Sequence, residues 1–161
     1  MLPLQTVTTE RSIRGWGCYM HCLAAMVADK CGHDFTGRDM VEIFKSGVMR
    51  GFILDNDLPT DGSHGNWYRC YVRDPWRFVV MVGEYIGRKI EAMEVYREKN
   101  IVEHPGADYI ITEWQTPNGS HFTVKAGRMD IDSYDPGPHF ARTGIKSVRG
   151  WSVLDKTAKK G

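Results

Sequence analysis

Asn118-Gly119 sits between two stretches of strand character, ADYIITEWQ before it and HFTVKAG after it. Asn-Gly accepts positive φ at little cost, so it folds a chain back on itself and pairs the flanking strands antiparallel. A further strand, RMDIDSYD, follows at once. The first third of the chain has another period. Met20, Leu23, Ala24, Val27 and Cys31 recur at helical spacing, with Gly32 as the stop. A second helix is expected from Thr36 or Gly37 to about Val48, with Met40, Ile43 and Phe44 inward and an end near Gly51. Helices first and an antiparallel meander last predict an α+β fold rather than alternating βαβ units. Between them, DNDLPTDGSHG (55–65) is dense in turn formers and predicts a loop. WYRCYV reads as a strand or as the approach to a helix through PWRFVVMVGEYIG, and KIEAMEVYREKN fits strand or helix.

A length of 161 residues favours one domain, long enough to fold without disulfides or metal. Lys and Arg number 21 against 20 Asp and Glu, which gives no electrostatic case for nucleic acid or an anionic membrane surface. No apolar run approaches the ~18 residues of a membrane span. The opening MLPLQTVTTERSIRG lacks the basic and apolar regions of a secretory signal. Cys18, Cys22, Cys31 and Cys70 are too few for a disulfide scaffold. The expectation is reduced thiols in a chain that is cytoplasmic as synthesised, with release by a route other than a signal peptide left open.

The segment GWGCYMHC places two thiols four residues apart. A zinc clip wants two such pairs; Cys31 and Cys70 form no second one, so no metal is expected. Cys22 reads as a small buried hydrophobe. Cys18 differs: at about 100° per residue it falls about 160° from the apolar stripe. It also opens the helix, where backbone N–H groups and the positive dipole end stabilise a thiolate. That is the setting of a nucleophile. Its base would be His121, which begins a strand straight after the Asn-Gly turn. Asp135, 14 residues further on in SYDPGP, ends the neighbouring strand and would orient the imidazole. His21, His33, His64, His104 and His139 read as surface histidines. Trp16, Trp67, Trp76 and Trp114 are candidates for a substrate groove.

With these residues in place the chain resembles the papain-like superfamily, and within it the compact bacterial C39-like cysteine peptidases. The likeness lies in CYMHCLAAMV at a helix start, with Leu23-Ala24-Ala25-Met26 where that family has Leu-Ala-Met. It continues in DYIITEW, in GSHFTVKAG and in DSYDPGP. It implies one papain-like thiol hydrolase domain over residues 1–161, with N-terminal helices packed on a C-terminal antiparallel sheet. It implies Cys18 as nucleophile, His121 as general base and then acid, Asp135 as the orienting group, and no cofactor. The substrate would be an amide bond in a peptide, a protein or the peptide part of peptidoglycan, as in a phage lysin or effector. The family's upstream glutamine has no counterpart, since Ser12 stands in its place and Gln5 is the nearest. Ser12, Arg14 and Gln115 are candidates for the second oxyanion donor. The alternative reading is an inactive papain-fold module that binds a peptide or protein partner.

Overall fold

In the computed structural model of the chain the described residues are 17–55, 70–99, 106–117, 119–126, 129–132 and 142–157. Helix α1 (Cys18–Cys31) ends where the spacing predicts: Gly32 turns left-handed at φ 60°, and its N–H points back to the Ala28 and Asp29 carbonyls. The apolar stripe is only part of what this helix buries. Every residue from Met20 to Ala28 is enclosed, because a later helix, α3 (Pro75–Tyr85), packs on one side and the main sheet takes the other. His21 is therefore buried rather than on the surface, with Nδ1 3.1 Å from the Gly17 carbonyl. A carbonyl only accepts, so Nδ1 carries the proton.

Helix α2 (Gly37–Met49) buries Met40, Ile43 and Phe44 as its period requires. Its start is a capping box. Thr36 Oγ1 accepts from the Asp39 N–H at 3.1 Å, and Asp39 Oδ2 accepts from the Thr36 N–H at 2.8 Å. Tyr85, at the end of α3, donates its hydroxyl to Asp39 Oδ1 at 2.7 Å. The Thr36 N–H first, and the Tyr85 hydroxyl next, hold the Asp39 carboxyl below the ordinary carboxylate range. A lowered folded-state value means that this contribution is complete above the unfolded value near ~3.9 and is lost as pH falls through the folded one. Asp39→Ala should cost about 0.5–2 kcal/mol at pH 7, the usual worth of a helix cap. The gap between variant and parent should narrow in acid below about pH 3.9. Urea unfolding at both pH values checks this, and equal midpoints at pH 7 would remove the cap from the account.

Strands β1 (Ile53–Leu54) and β2 (Tyr71–Val72) pair as a small separate ribbon, Ile53 opposite Val72. WYRCYV thus yields a short strand, and the following stretch is α3, capped by Asp74 with Pro75 in its first turn. KIEAMEVYREKN resolves as strand β3 (Ile90–Glu98). The loop expected over 55–65 lies outside the described residues beyond Asp55.

The main sheet holds β3, β4 (Tyr109–Thr116), β5 (Gly119–Ala126), β6 (Met129–Asp132) and β7 (Gly144–Asp155), in the order β3-β7-β4-β5-β6. All its pairings are antiparallel. Strands β4 and β5 pair antiparallel, with Thr116 opposite Gly119, as the sequence predicts. The arrangement is nevertheless not a simple meander. Strand β7 returns to lie between β3 and β4, where it is the longest strand of the sheet. Its apolar residues go to both sides: Trp151 and Val153 join the core with α1, while Val148 pairs with Thr112 on the other face. A strand buried on both faces shows no clean alternation, which hides it from a period-2 reading. The fold is α+β, with helices covering one face of an antiparallel sheet. Among the described residues no helix is long and apolar enough to cross a membrane.

Candidate active site

Cys18 is the first residue of α1. Gly17 before it has no side chain to cap the helix, and the first turn carries no acidic residue. The leading N–H groups therefore present partial positive charge to whatever lies in front of them. The thiol is half-buried and lines a cleft of about 500 Å³. The cleft walls come from far apart in the chain: Tyr19 beside Cys18, Arg73 after β2, Arg97 of β3, Glu113 of β4, Phe122 of β5 and Arg149 of β7. Burial raises the Tyr19 phenol above its ordinary value, with the Arg149 charge partly opposing, so the hydroxyl stays protonated.

Arg149 is the densest feature of the cleft. Its side chain is 13% exposed, and its guanidinium lies 4.9 Å from the Tyr19 ring centroid and 5.0 Å from that of Phe122. The two rings stack on each other at 4.8 Å. Among the described residues Arg149 pairs with the Glu113 carboxylate, whose Oε1 is 3.6 Å from Nη2, beyond hydrogen-bond reach. Glu113 accepts instead from the Ser120 and Ser147 hydroxyls, at 2.8 and 2.9 Å. Arg149 Nε is buried without a hydrogen-bond partner, and the guanidinium stacks over the Tyr19 ring close to its hydroxyl.

His121 does not join this cleft. Along β5 the apolar residues are Phe122 and Val124, and the core takes them: Val124 is fully buried with α1, and Phe122 stacks on Tyr19. Side chains alternate across a strand, so His121 and Thr123 face the other way. The pairings agree, because His121 stands opposite Trp114, whose Nε1 donates to Thr123 Oγ1 at 2.9 Å on that same far face. His121 is 2% exposed. The expectation was that its ring would face a cleft containing Cys18; the strand's own alternation puts it on the face opposite Phe122 and Val124. A one-residue slip of β5 would turn His121 toward α1, but it would put Thr123 and Lys125 into the core in place of Phe122 and Val124. Asp135 lies outside the described residues, as do His64, His104, His139, Ser12, Arg14, Trp16 and Trp67.

The other candidates fall as follows. Cys22 is a core residue, as expected. Cys31, at the far end of α1, has its sulfur 3.9 Å from Asp155 Oδ2; burial first and that carboxylate next push its thiol up. Cys70 is buried in the same cleft as Cys18, at φ 45°, with its sulfur 3.8 Å from Met20 Sδ. None of the four cysteines is in a disulfide. The Gln115 amide, a candidate oxyanion donor, is bonded to the Thr116 and Gly119 carbonyls. His33 is half-buried against the Phe35 ring. Trp114 carries the Arg142 guanidinium 4.7 Å from its ring centroid, while Trp76 is exposed beside a separate groove next to Met93 and Leu154. Among the described residues no three His, Cys, Asp or Glu side chains are placed to hold a metal ion.

Sequence reasoning found Cys18 and missed the residues around it. Arg97, Glu113 and Arg149 sit on three strands, and nothing local marks them as neighbours. The signal that was available concerns His121: in SHFTVKA the polar residues alternate with Phe122, Val124 and Ala126, which already assigns the histidine to the non-core face. Comparison of the chain with family models, curated proteins and solved structures gives no match.

Proposed function

We propose that this protein is a cysteine-dependent amide hydrolase in which Cys18 attacks the carbonyl carbon. The sulfur forms a thioester with the acyl part, the amine leaves with a proton, and water then releases the acid. The observation that supports this is the position of Cys18: a half-buried thiol at an uncapped helix N-terminus, opening into a cleft with more guanidinium than carboxylate. N–H groups of the first turn are also where an oxyanion formed beside the sulfur finds donors. His121 would take the proton-transfer role, and Asp135 the orienting role, that the resemblance implies only in an arrangement where β5 shows its polar face to α1.

The placement of His121 favours a second reading, the papain-fold module that binds a peptide or protein without cleaving it. One experiment separates the two. The folded protein is treated with a peptidyl vinyl sulfone at pH 7, and the labelled cysteine is identified by mass spectrometry. In parallel it is incubated with purified peptidoglycan and with a peptide library. The hydrolase reading expects labelling confined to Cys18 and new amine termini in one of the two substrates. Labelling of all four cysteines only after denaturation, with no new termini, leaves the binding module.

A further inference from the structure

Among the described residues the cleft brings three guanidiniums, Arg73, Arg97 and Arg149, together with one carboxylate, Glu113. Each charge has a different degree of neutralisation. Arg97 is bonded through Nη2 to both oxygens of Glu94, at 2.9 and 3.2 Å. Arg73 is exposed. Arg149 is the most buried of the three, stacked beside the Tyr19–Phe122 ring pair, with Nη2 3.6 Å from a carboxylate that two serine hydroxyls also hold and with Nε lacking a hydrogen-bond partner. Taking a guanidinium out of water is offset only when its donors are met by an acceptor of opposite charge. Here the donors exceed the acceptors, and the uncapped N-terminus of α1 adds more.

We infer that the substrate handled at Cys18 carries a carboxylate close to the scissile bond, received by Arg149 with Arg73 and Arg97 drawing it in. This rests on Cys18 being the nucleophile proposed above. A planar carboxylate matches the guanidinium fork in two parallel bonds, and the Tyr19 hydroxyl offers one more donor. Such a group is either the α-carboxylate ending a peptide or the side chain of an acidic residue.

The test compares iodoacetate with iodoacetamide, reagents of near-equal size that differ in one negative charge. In both reactions the thiolate forms an S–CH2 bond and iodide leaves with its electron pair. Rates at each cysteine are read by mass spectrometry, with glutathione as reference. At Cys18 the iodoacetate-to-iodoacetamide ratio should exceed that of glutathione by about tenfold, the low end of what a focused charge adds to encounter rates. The excess should shrink as salt is added. At Cys31, beside Asp155, the ratio should fall below the reference. Arg149→Gln should bring the Cys18 ratio to that of glutathione. Because Arg149 is packed against two rings, the exposed pair Arg73→Gln and Arg97→Gln is the second variant, and it should cut the excess severalfold. Protection of Cys18 from iodoacetamide by N-acetylalanine points to a terminal carboxylate, and protection by N-acetylglutamate α-amide to an acidic side chain. A glutathione-like ratio in the parent protein, an excess kept in full by both variants, or protection by inorganic phosphate alone overturns the inference. Failure of Cys18 to react with either reagent in the folded protein instead overturns the nucleophile itself.

Discussion

Trp151→Ala should lower the free energy of unfolding by about 3–5 kcal/mol, the range for deleting a large buried aromatic. Trp151 is 1% exposed, stands in the central strand β7 opposite Tyr109 on β4 and Glu94 on β3, and belongs to the core that α1 shares with the sheet. The cavity would open where helix and sheet meet, and neighbours held by strand pairing on both sides have little freedom to close it. A domain of this size has about 5–15 kcal/mol of stability in total, so the loss removes a large share of it and should move the unfolding midpoint clearly downward. Trp151→Phe should recover most of the loss. The indole Nε1 is buried without a hydrogen-bond partner, so removing it forfeits packing but no bond. Denaturant titration of the three proteins decides the matter; a loss under about 1 kcal/mol for alanine would mean that the site collapses as a surface position does.

Cys18→Ala should abolish substrate cleavage and vinyl sulfone labelling while leaving the unfolding midpoint close to the parent value. The thiol is half-buried and alanine is a better helix former at that position, so the fold has little reason to respond. His121→Ala is the informative partner. With the imidazole on the far face of the sheet and nearly sealed from solvent, the variant should label at Cys18 as the parent does and lose about 1–3 kcal/mol of stability, the cost of disturbing a buried polar group. Loss of labelling near neutral pH with an unchanged midpoint is the opposite result. It would restore His121 as the base and require β5 to sit in another register when the protein works. The two measurements, labelling rate and unfolding midpoint, move in different directions for the two accounts.

How far the sequence reached follows the range of the forces involved. Helix α1, its stop at Gly32, the start of α2 and the β4–β5 hairpin were legible because each is set by neighbours within a few residues: a 3.6-residue period, a glycine in left-handed backbone, a side chain capping an N–H, an Asn-Gly turn. Cys18 as a residue at a helix start belongs to the same class. Strand β7 does not. Its Val148, Trp151 and Val153 are buried on two faces by partners more than 30 residues away in the chain, and only the closed sheet supplies those partners.

By itself the sequence determined the α+β class, the helix that carries Cys18 and the turn that places His121 on the next strand. Only the tertiary structure decided which way that strand faces. Burying Phe122 and Val124 against α1 is worth more than exposing an imidazole to the cleft, and a period of two allows no compromise between them. The same packing carried Arg149 from the last strand to the mouth of the first helix, a meeting that no local pattern encodes.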